Sequence, residues 1–154
     1  MSIQDFGSIG ELIAAIATVA TLAYLAIQVR KNTLSTYSSS FHAISDSMNY
    51  INMTIAQNPD LSRIWLTGSV DRKSLSDEER YQFDMVMLSC FHVFDTMHYQ
   101  ARKGSGDTDL VTTEERSLTT LFALPGVKEW WNENPYAFGP EFRSYLGKFN
   151  GTDA

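Results

Sequence analysis

The chain has 154 residues, about one domain, with 44% hydrophobic and 19% charged residues. This composition is ordinary for a folded chain and too apolar for disorder, and the length suffices to bury a core without metals or disulfides. A net charge of −6 argues against a nucleic-acid-binding protein, which needs a basic face. The single cysteine, Cys90, excludes an intrachain disulfide and a multi-thiolate metal site.

The chain begins with an apolar stretch that predicts a transmembrane helix. From Leu12 to Ile27 it reads LIAAIATVATLAYLAI, without a charge, glycine or proline. Together with its flanks, the segment from Ile9 to Val29 (the apolar run) has about 21 residues, close to the ~20 that cross a hydrocarbon core. Because the run is rich in alanine, a buried core helix of a soluble protein is the alternative.

The charges beside the apolar run predict its orientation. Asp5 and Glu11 precede the hydrophobic core of the run, and Arg30 and Lys31 follow it at once. Cytoplasmic flanks favour lysine and arginine, so we expect the N-terminus outside the membrane and the bulk of the chain in the cytoplasm. A cleaved signal peptide would carry its positive charge ahead of the apolar stretch, which is the reverse of this order.

A long helix is predicted to continue from the run, because no glycine or proline lies between Gly10 and Pro59. Apolar residues follow in alternating steps of three and four, and this set (the first apolar stripe) is Leu34, Tyr37, Phe41, Ile44, Met48, Ile51 and Ile55. Such heptad spacing keeps the register of the run and predicts one helix of about 48 residues. A break near Asn32-Thr33 is the alternative.

Capping signals place the next two helices. Asn58 predicts the start of a short helix that ends at Gly68, and Ser76 with Glu79 forms a capping box for a second long helix that reaches about Lys103. The second long helix carries its own heptad set (the second apolar stripe), which is Phe83, Met87, Cys90, Phe94, Met97 and Ala101. We expect the two stripes to pack against each other.

The remaining chain predicts a polar loop from Ser105 to Leu110 and no strands. Further helices are predicted at about Thr113–Leu124, Val127–Asn132 and Pro140–Lys148. The predicted fold class is therefore all-α: an N-terminal transmembrane helix continuous with a long cytoplasmic helix, packed with a second long helix and several short ones. Residues 1–31 are predicted as the anchor and residues 32–154 as a cytoplasmic helical domain.

The last third of the chain is rich in aromatic residues. They are Trp130, Trp131, Tyr136, Phe138, Phe142, Tyr145 and Phe149. Tryptophan and tyrosine favour the membrane interface, so this region could lie on the inner leaflet. The alternative is that these rings pack the end of the helical bundle.

Several motifs together resemble a family of small bacterial proteins. The opening IGELIAAIATVATLAYLAIQVRKNT resembles the N-termini of many small, uncharacterised bacterial single-pass membrane proteins. The later segments NPDLSRIWLTG, FDTMHYQ, LPGVKEWW and FGPEFRSYL are similar too, so the resemblance covers most of the chain. The serine-rich stretch after Asn32-Thr33 departs from the pattern. The resemblance implies a location in the bacterial inner (cytoplasmic) membrane and brings no activity, cofactor or active site.

One polar group on the second long helix is a candidate site. The group (the Asp95 cluster) consists of His92, Asp95, His98, Tyr99 and Arg102. The Asp95-x-x-His98 spacing is that of di-metal carboxylate bundles, but those need a second such motif, and the chain offers only His42 with Asp46. A hydrogen-bond and ion-pair network explains the cluster equally well. No metal, cofactor or catalytic residue is predicted.

Three function classes remain open. The first is a membrane-anchored interaction protein, a homo-oligomer or an accessory subunit of a membrane complex. It would associate through a side of the run with small residues (the small-residue face): Gly7, Gly10, Ala14, Ala17 and Thr21. The second is an oligomeric pore with Thr18 and Thr21 facing a lumen. The third is an enzyme, or a small-molecule or metal binder, that uses the Asp95 cluster. Expected partners are the lipid bilayer and a second copy or another membrane protein, with no nucleic acid.

Overall fold

The computed structural model describes residues 3–103 and 108–150, apart from the side chains at 3–6, 8, 108–111 and 150. Within these residues there are α-helices and short 3₁₀ turns but no strands, so the predicted all-α class is confirmed. The helices are α1 (Ile3–Gln57), α2 (Pro59–Val70), α3 (Asp77–Arg102), α4 (Thr108–Phe122), α5 (Pro125–Glu133) and α6 (Pro140–Asn150). The 3₁₀ turns are Arg72–Ser74 and Pro135–Ala137.

Helix α1 is continuous, and the alternative of a break near Asn32-Thr33 is not observed. The hydroxyl of Thr33 donates to the carbonyl of Val29 at 3.0 Å, and that of Thr36 donates to Asn32 at 2.9 Å. These hydroxyls are satisfied one turn back within the helix. The segment from Asn32 to Thr36 is helical, and its threonine hydroxyls are paired inside the helix.

The chain divides into two compact units, residues 1–39 and 40–154. In the first unit every described side chain from Gly7 to Thr36 is exposed, and no core is formed. The second unit holds the hydrophobic core. This division reflects packing, whereas the predicted boundary after Lys31 refers to the edge of a membrane.

Helix α3 forms the centre of the core of the second unit. The second apolar stripe is buried as predicted: Phe83 and Met87 are fully buried, and Cys90, Phe94 and Met97 are at most 6% exposed. Ala101, the last member, is half-buried. Helix α3 also buries Phe91, which lies outside the stripe, at the middle of an aromatic cluster. Ring centroids around Phe91 lie 5.1 Å away in Trp130, 5.4 Å in Trp131 and 5.7 Å in Phe122.

The first apolar stripe packs over only part of its predicted length. Ile44 is 5% exposed, and Met48 and Ile51 pack against the core, but Phe41 is 49% exposed and Leu34 is 59% exposed. Within the second unit, Ile44 shares a groove with Val93 and Gln100 of α3. Helix α3 ends at Arg102, just past that point, so it is too short to cover Phe41. The expectation that the whole stripe packs on α3 is wrong for its N-terminal part.

Gly68 does not end α2, which continues to Val70. Gly68 is buried, and a Cβ there would lie 2.6 Å from the ring of Phe83. A Cβ on Gly126 would in turn collide with the backbone carbonyl of Gly68. The two glycines therefore allow close approach of α2, α3 and α5.

The predicted caps are present, whereas the start of α4 is displaced. The Asn58 side chain accepts from the backbone N–H of Leu61 at 3.1 Å. Ser76 and Glu79 form the reciprocal capping box, with N–H···O distances of 3.3 Å and 2.9 Å. Helix α4 begins at Thr108 rather than near residue 113, and the first part of the predicted loop, residues 105–107, lies outside the described residues.

Most of the C-terminal aromatic residues pack the end of the bundle. Trp130 is 1% exposed, Trp131 5%, Phe138 6% and Phe142 1%. Tyr136, at 87% exposure, is the exception. Rings buried inside the second unit are not available to a lipid surface, so the packing alternative holds for these four.

Candidate functional site

No described residue outside the apolar run covers it. Among the described residues, one helix, α1, is long and apolar enough to cross a membrane, and none of its most apolar window is buried. The core helix of a soluble protein passes the same test of length and composition, but it is mostly buried. Leu12 is 63% exposed, Ile16 62% and Val19 67%. The described part of the chain therefore does not bury the run.

Polar side chains within the run are satisfied locally. The hydroxyls of Thr18 and Thr21 each donate to the carbonyl four residues earlier, at 2.8 Å. The Gln28 side-chain amide donates to the hydroxyl of Tyr24 at 2.9 Å. In hydrocarbon an unpaired polar group costs several kcal/mol, so this internal pairing suits a helix surrounded by lipid.

Small side chains lie on two opposite sides of the run. All members of the small-residue face are exposed, and a Cβ built on Gly7 or Gly10 would meet nothing within 4 Å. A shallow concavity lies on the opposite side of the helix at 100° per residue. It is lined by Ala15, Ile16, Val19, Ala20 and Ala23 (the alanine groove). Ile16, Ala20 and Ala23 of this groove continue the heptad register of the first apolar stripe.

The members of the Asp95 cluster lie on α3 but do not converge on one site. The His92 ring is exposed and meets Phe138 edge-on, with centroids 5.2 Å apart. Asp95 is half-buried, and Tyr99 is 59% exposed. His92 lines the groove between α3 and the Ala43–Ser47 segment of α1. No other member of the Asp95 cluster lines this groove.

His98 and Arg102 instead contact α6. The His98 ring stacks on Tyr145 with centroids 4.1 Å apart. Burial, and after it the charge of Arg102, lowers the pKa of His98, which favours the neutral ring. Arg102 donates from two nitrogens to the carboxylate of Glu141, and not to Asp95. These contacts join α3 to α6, which is a structural role.

Neither metal binding nor thiol chemistry finds support in this geometry. Within the part of the chain that the structure describes, no three His, Cys, Asp or Glu side chains are grouped to hold a metal ion. His42 and Asp46, the other candidate pair, are both exposed on α1. Burial raises the pKa of Cys90 to about 12, so its thiol is unreactive at neutral pH.

Sequence reasoning missed a buried arginine, Arg72, which is 4% exposed. Its Nε and Nη2 donate to the two carboxylate oxygens of Asp84, each at 2.8 Å, and Nη1 donates to Glu133 at 2.7 Å. The hydrogen bond to Asp84 is the largest cause that raises the pKa of Arg72. This charge ties the turn after α2 to α3 and α5. Arg72 is a single basic residue in a polar turn, so no periodic pattern in the sequence indicated that it is buried.

Sequence reasoning also missed a buried acid, Glu114, which is 1% exposed. Burial, and secondarily the charge of Glu115, raises its pKa to about 8. The burial of Glu114 could have been predicted from the sequence, because Glu114, Leu118 and Phe122 follow each other at steps of four residues on one face of α4. The predicted start of the helix near residue 113 instead made Glu114 resemble an ordinary acidic residue of a first turn.

No protein-family model, curated protein or solved structure matches the chain. The resemblance of its N-terminal motif to small bacterial membrane proteins therefore stays a prediction.

Proposed function

We propose that the protein is a membrane-anchored helical interaction protein, whose apolar run crosses a bilayer and whose second unit lies in the bacterial cytoplasm. It acts as a homo-oligomer or as an accessory subunit of a larger membrane complex. The observation that carries this proposal is that no residue in the most apolar window of α1 is buried.

The energetic argument concerns the cover that this exposure requires. Leu22 is 61% exposed, Leu25 51% and Ile27 55%, and the residues before them are similarly open. Removing one such side chain from water stabilises a protein by roughly 1.5–3 kcal/mol. Because no part of the described chain supplies that cover, lipid or other membrane helices must supply it.

The orientation follows from the positive charges after the run. Arg30 and Lys31 are exposed on α1 directly after its apolar part. Lysine and arginine are enriched on the cytoplasmic side of membrane spans, so the N-terminus lies outside and residues 32–154 lie inside.

An interaction role is favoured over catalysis by the contacts of the polar residues. The Asp95 cluster divides between different neighbours, with His98 and Arg102 engaged by α6. No contact in the run favours a pore, because the hydroxyls of Thr18 and Thr21 already donate to backbone carbonyls within the helix. Ion conductance in liposomes that contain the purified protein would instead support a pore.

Membrane insertion is tested by fractionation. The protein should remain in membranes washed with alkaline carbonate, since extraction would expose the apolar run to water. Recovery in the soluble fraction contradicts the proposal.

Orientation is tested with single cysteines at exposed positions on either side of the run, Gly7→Cys and Ser35→Cys. Cys90 is buried, so we expect little labelling of the native protein itself. A membrane-impermeant thiol reagent applied to spheroplasts should label Gly7→Cys and leave Ser35→Cys unlabelled until the membrane is opened. The opposite pattern would reverse the proposed orientation.

A further inference from the structure

Two hollows, of about 200 Å³ and about 160 Å³, lie one beyond the other between α1 and α3 in the second unit. Their rim on α1 is formed by Ala43, Ser47, Tyr50 and Thr54, all of which are exposed. These residues follow in steps of four, three and four, so they share one face of the helix. The two hollows are therefore parts of one surface groove (the α1–α3 groove).

The rim of the groove on α3 has the same spacing and the opposite direction. Met85 and Ser89 line the smaller hollow, and His92 and Thr96 line the larger one, again with exposed side chains. Residue numbers on α3 fall as those on α1 rise, so the two helices are antiparallel. Rim residues that line the same hollow lie at similar positions along the helix axes.

The groove can be covered at little polar cost. Each of the four rim hydroxyls donates to the backbone carbonyl four residues earlier in its own helix, at 2.7–2.9 Å. A covering surface would therefore leave none of these donors unpaired. Below the rim, Ile51, Val86 and Val93 are partly buried and pack against the core, so the floor of the groove is apolar.

The charge of the groove favours a second copy of the chain as its occupant. Among the described residues that line the two hollows, none is Asp, Glu, Lys or Arg. The chain itself has a net charge of −6, so two copies repel each other over much of their surface. Juxtaposed like charges are costly at an interface, and two copies avoid that cost where their grooves meet.

The shape of the rim fits a second copy as well. A two-fold axis parallel to the helices places α1 of one copy over α3 of the other and keeps every residue at its position along the axis. Tyr50, whose side chain is 75% exposed, then faces the small Ser89, and Met85 faces the smaller Thr54. Large side chains opposite small ones allow two layers of helices to interdigitate.

We propose that the α1–α3 groove is the surface through which the second units of two copies pack, with α1 of each copy over α3 of the other in a four-helix arrangement. The two α1 helices are parallel in this arrangement, as copies inserted alike in one membrane require. The inference rests on the proposed function, because hollows of this size give a weak contact that needs the high local concentration of anchored copies. Separation of the anchors should therefore also separate the grooves.

Disulfide formation between two differently tagged copies in native membranes tests the contact. One copy carries Ala43→Cys and the other Thr96→Cys, which face each other in the proposed arrangement, and Cys90 is buried in both. Oxidation with copper phenanthroline should join the two copies in a product that a reductant separates. The matched control pairs Asn49→Cys, exposed on another side of α1, with Thr96→Cys and should give at least about tenfold less product, because distant cysteines cannot be bridged.

A charge placed in the groove provides a second test. Thr54→Glu in both copies should lower the yield of the disulfide between positions 43 and 96 by about tenfold or more, because it buries a carboxylate against α3 of the other copy. Asn49→Glu adds the same charge to α1 outside the groove and should leave the yield unchanged. Both positions are exposed, so either variant should keep the circular dichroism of the native protein.

Equal yields from the groove pair and the control pair would overturn the proposal, and so would equal effects of the two glutamates. Retention in carbonate-washed membranes, measured on the same samples, separates this failure from a failure of the proposed membrane function. A copy with Ser89→Cys reports a different occupant. If this cysteine resists a soluble thiol reagent in opened membranes while the disulfide is absent, another protein covers the groove and a second copy does not.

Discussion

At the scale of single residues, the buried side chain of Arg72 joins three elements: its own 3₁₀ turn, α3 and α5. Its side chain is 5% exposed, while those of its partners Asp84 and Glu133 are 22% and 54% exposed. The partners can thus be hydrated if the arginine is lost, but the three hydrogen bonds and the packing of the arginine stem would disappear. Asp95 has a different position, because the arginine expected beside it, Arg102, bonds Glu141.

We predict that Arg72→Ala lowers the free energy of unfolding by about 2–3 kcal/mol, since it removes several charge-assisted hydrogen bonds. Asp95→Asn should change it by no more than about 0.5 kcal/mol, as for a substitution that breaks no buried pair. Urea unfolding followed by the fluorescence of Trp130 and Trp131 measures both. Equal losses in the two variants would contradict this assignment.

Buried polar residues were the part of the molecule that the sequence could not predict. Periodicity identifies hydrophobic side chains that face a core, and it found Phe83, Met87 and Phe94 correctly. A buried charge depends instead on partners far apart in the chain, as Arg72 and Glu133 are, 61 residues apart. No local sequence pattern indicates such a distant pair. Spacing therefore identified the Asp95 cluster as a candidate and did not identify Arg72.

At the scale of helices, caps and spacing predicted most elements, while the extent of packing depended on neighbouring lengths. The capping box and the second apolar stripe placed α3 within a residue or two of its observed ends. The first apolar stripe continues in sequence beyond the reach of α3, so heptad spacing alone overstated the buried part. Helix α1 thus has a packed end at Ile44–Ile55 and an open one before it.

Paired asparagine substitutions test this difference between the two parts of the stripe. Ile44→Asn should cost at least about 3 kcal/mol, because it removes buried apolar surface and introduces a buried amide. Phe41→Asn, one turn earlier and 49% exposed, should change unfolding by about 0.5 kcal/mol or less. Denaturation monitored by circular dichroism compares them. A large loss of stability in Phe41→Asn would mean that this residue has a partner outside the described chain.

At the scale of the whole molecule, the apolar run offers a second helix two places for close approach. The small-residue face and the alanine groove lie on opposite sides of α1. Small side chains allow membrane helices to approach closely, where packing drives association. The small-residue face includes two glycines, Gly7 just before the run and Gly10 within it, so its backbone is the more accessible of the two.

We therefore predict that the protein associates with itself through the small-residue face. Ala14→Leu combined with Ala17→Leu should abolish cross-linking between copies in native membranes and shift the size in mild detergent toward the monomer, because leucine side chains hold the backbones apart. Ala20→Leu combined with Ala23→Leu fills the alanine groove with the same added volume and is the matched control. It should leave association intact, and both variants should keep the circular dichroism of the native second unit. If the native protein is monomeric in both measurements and carries no partner, self-association is excluded; if only the groove variant dissociates, the contact lies on the opposite side of α1.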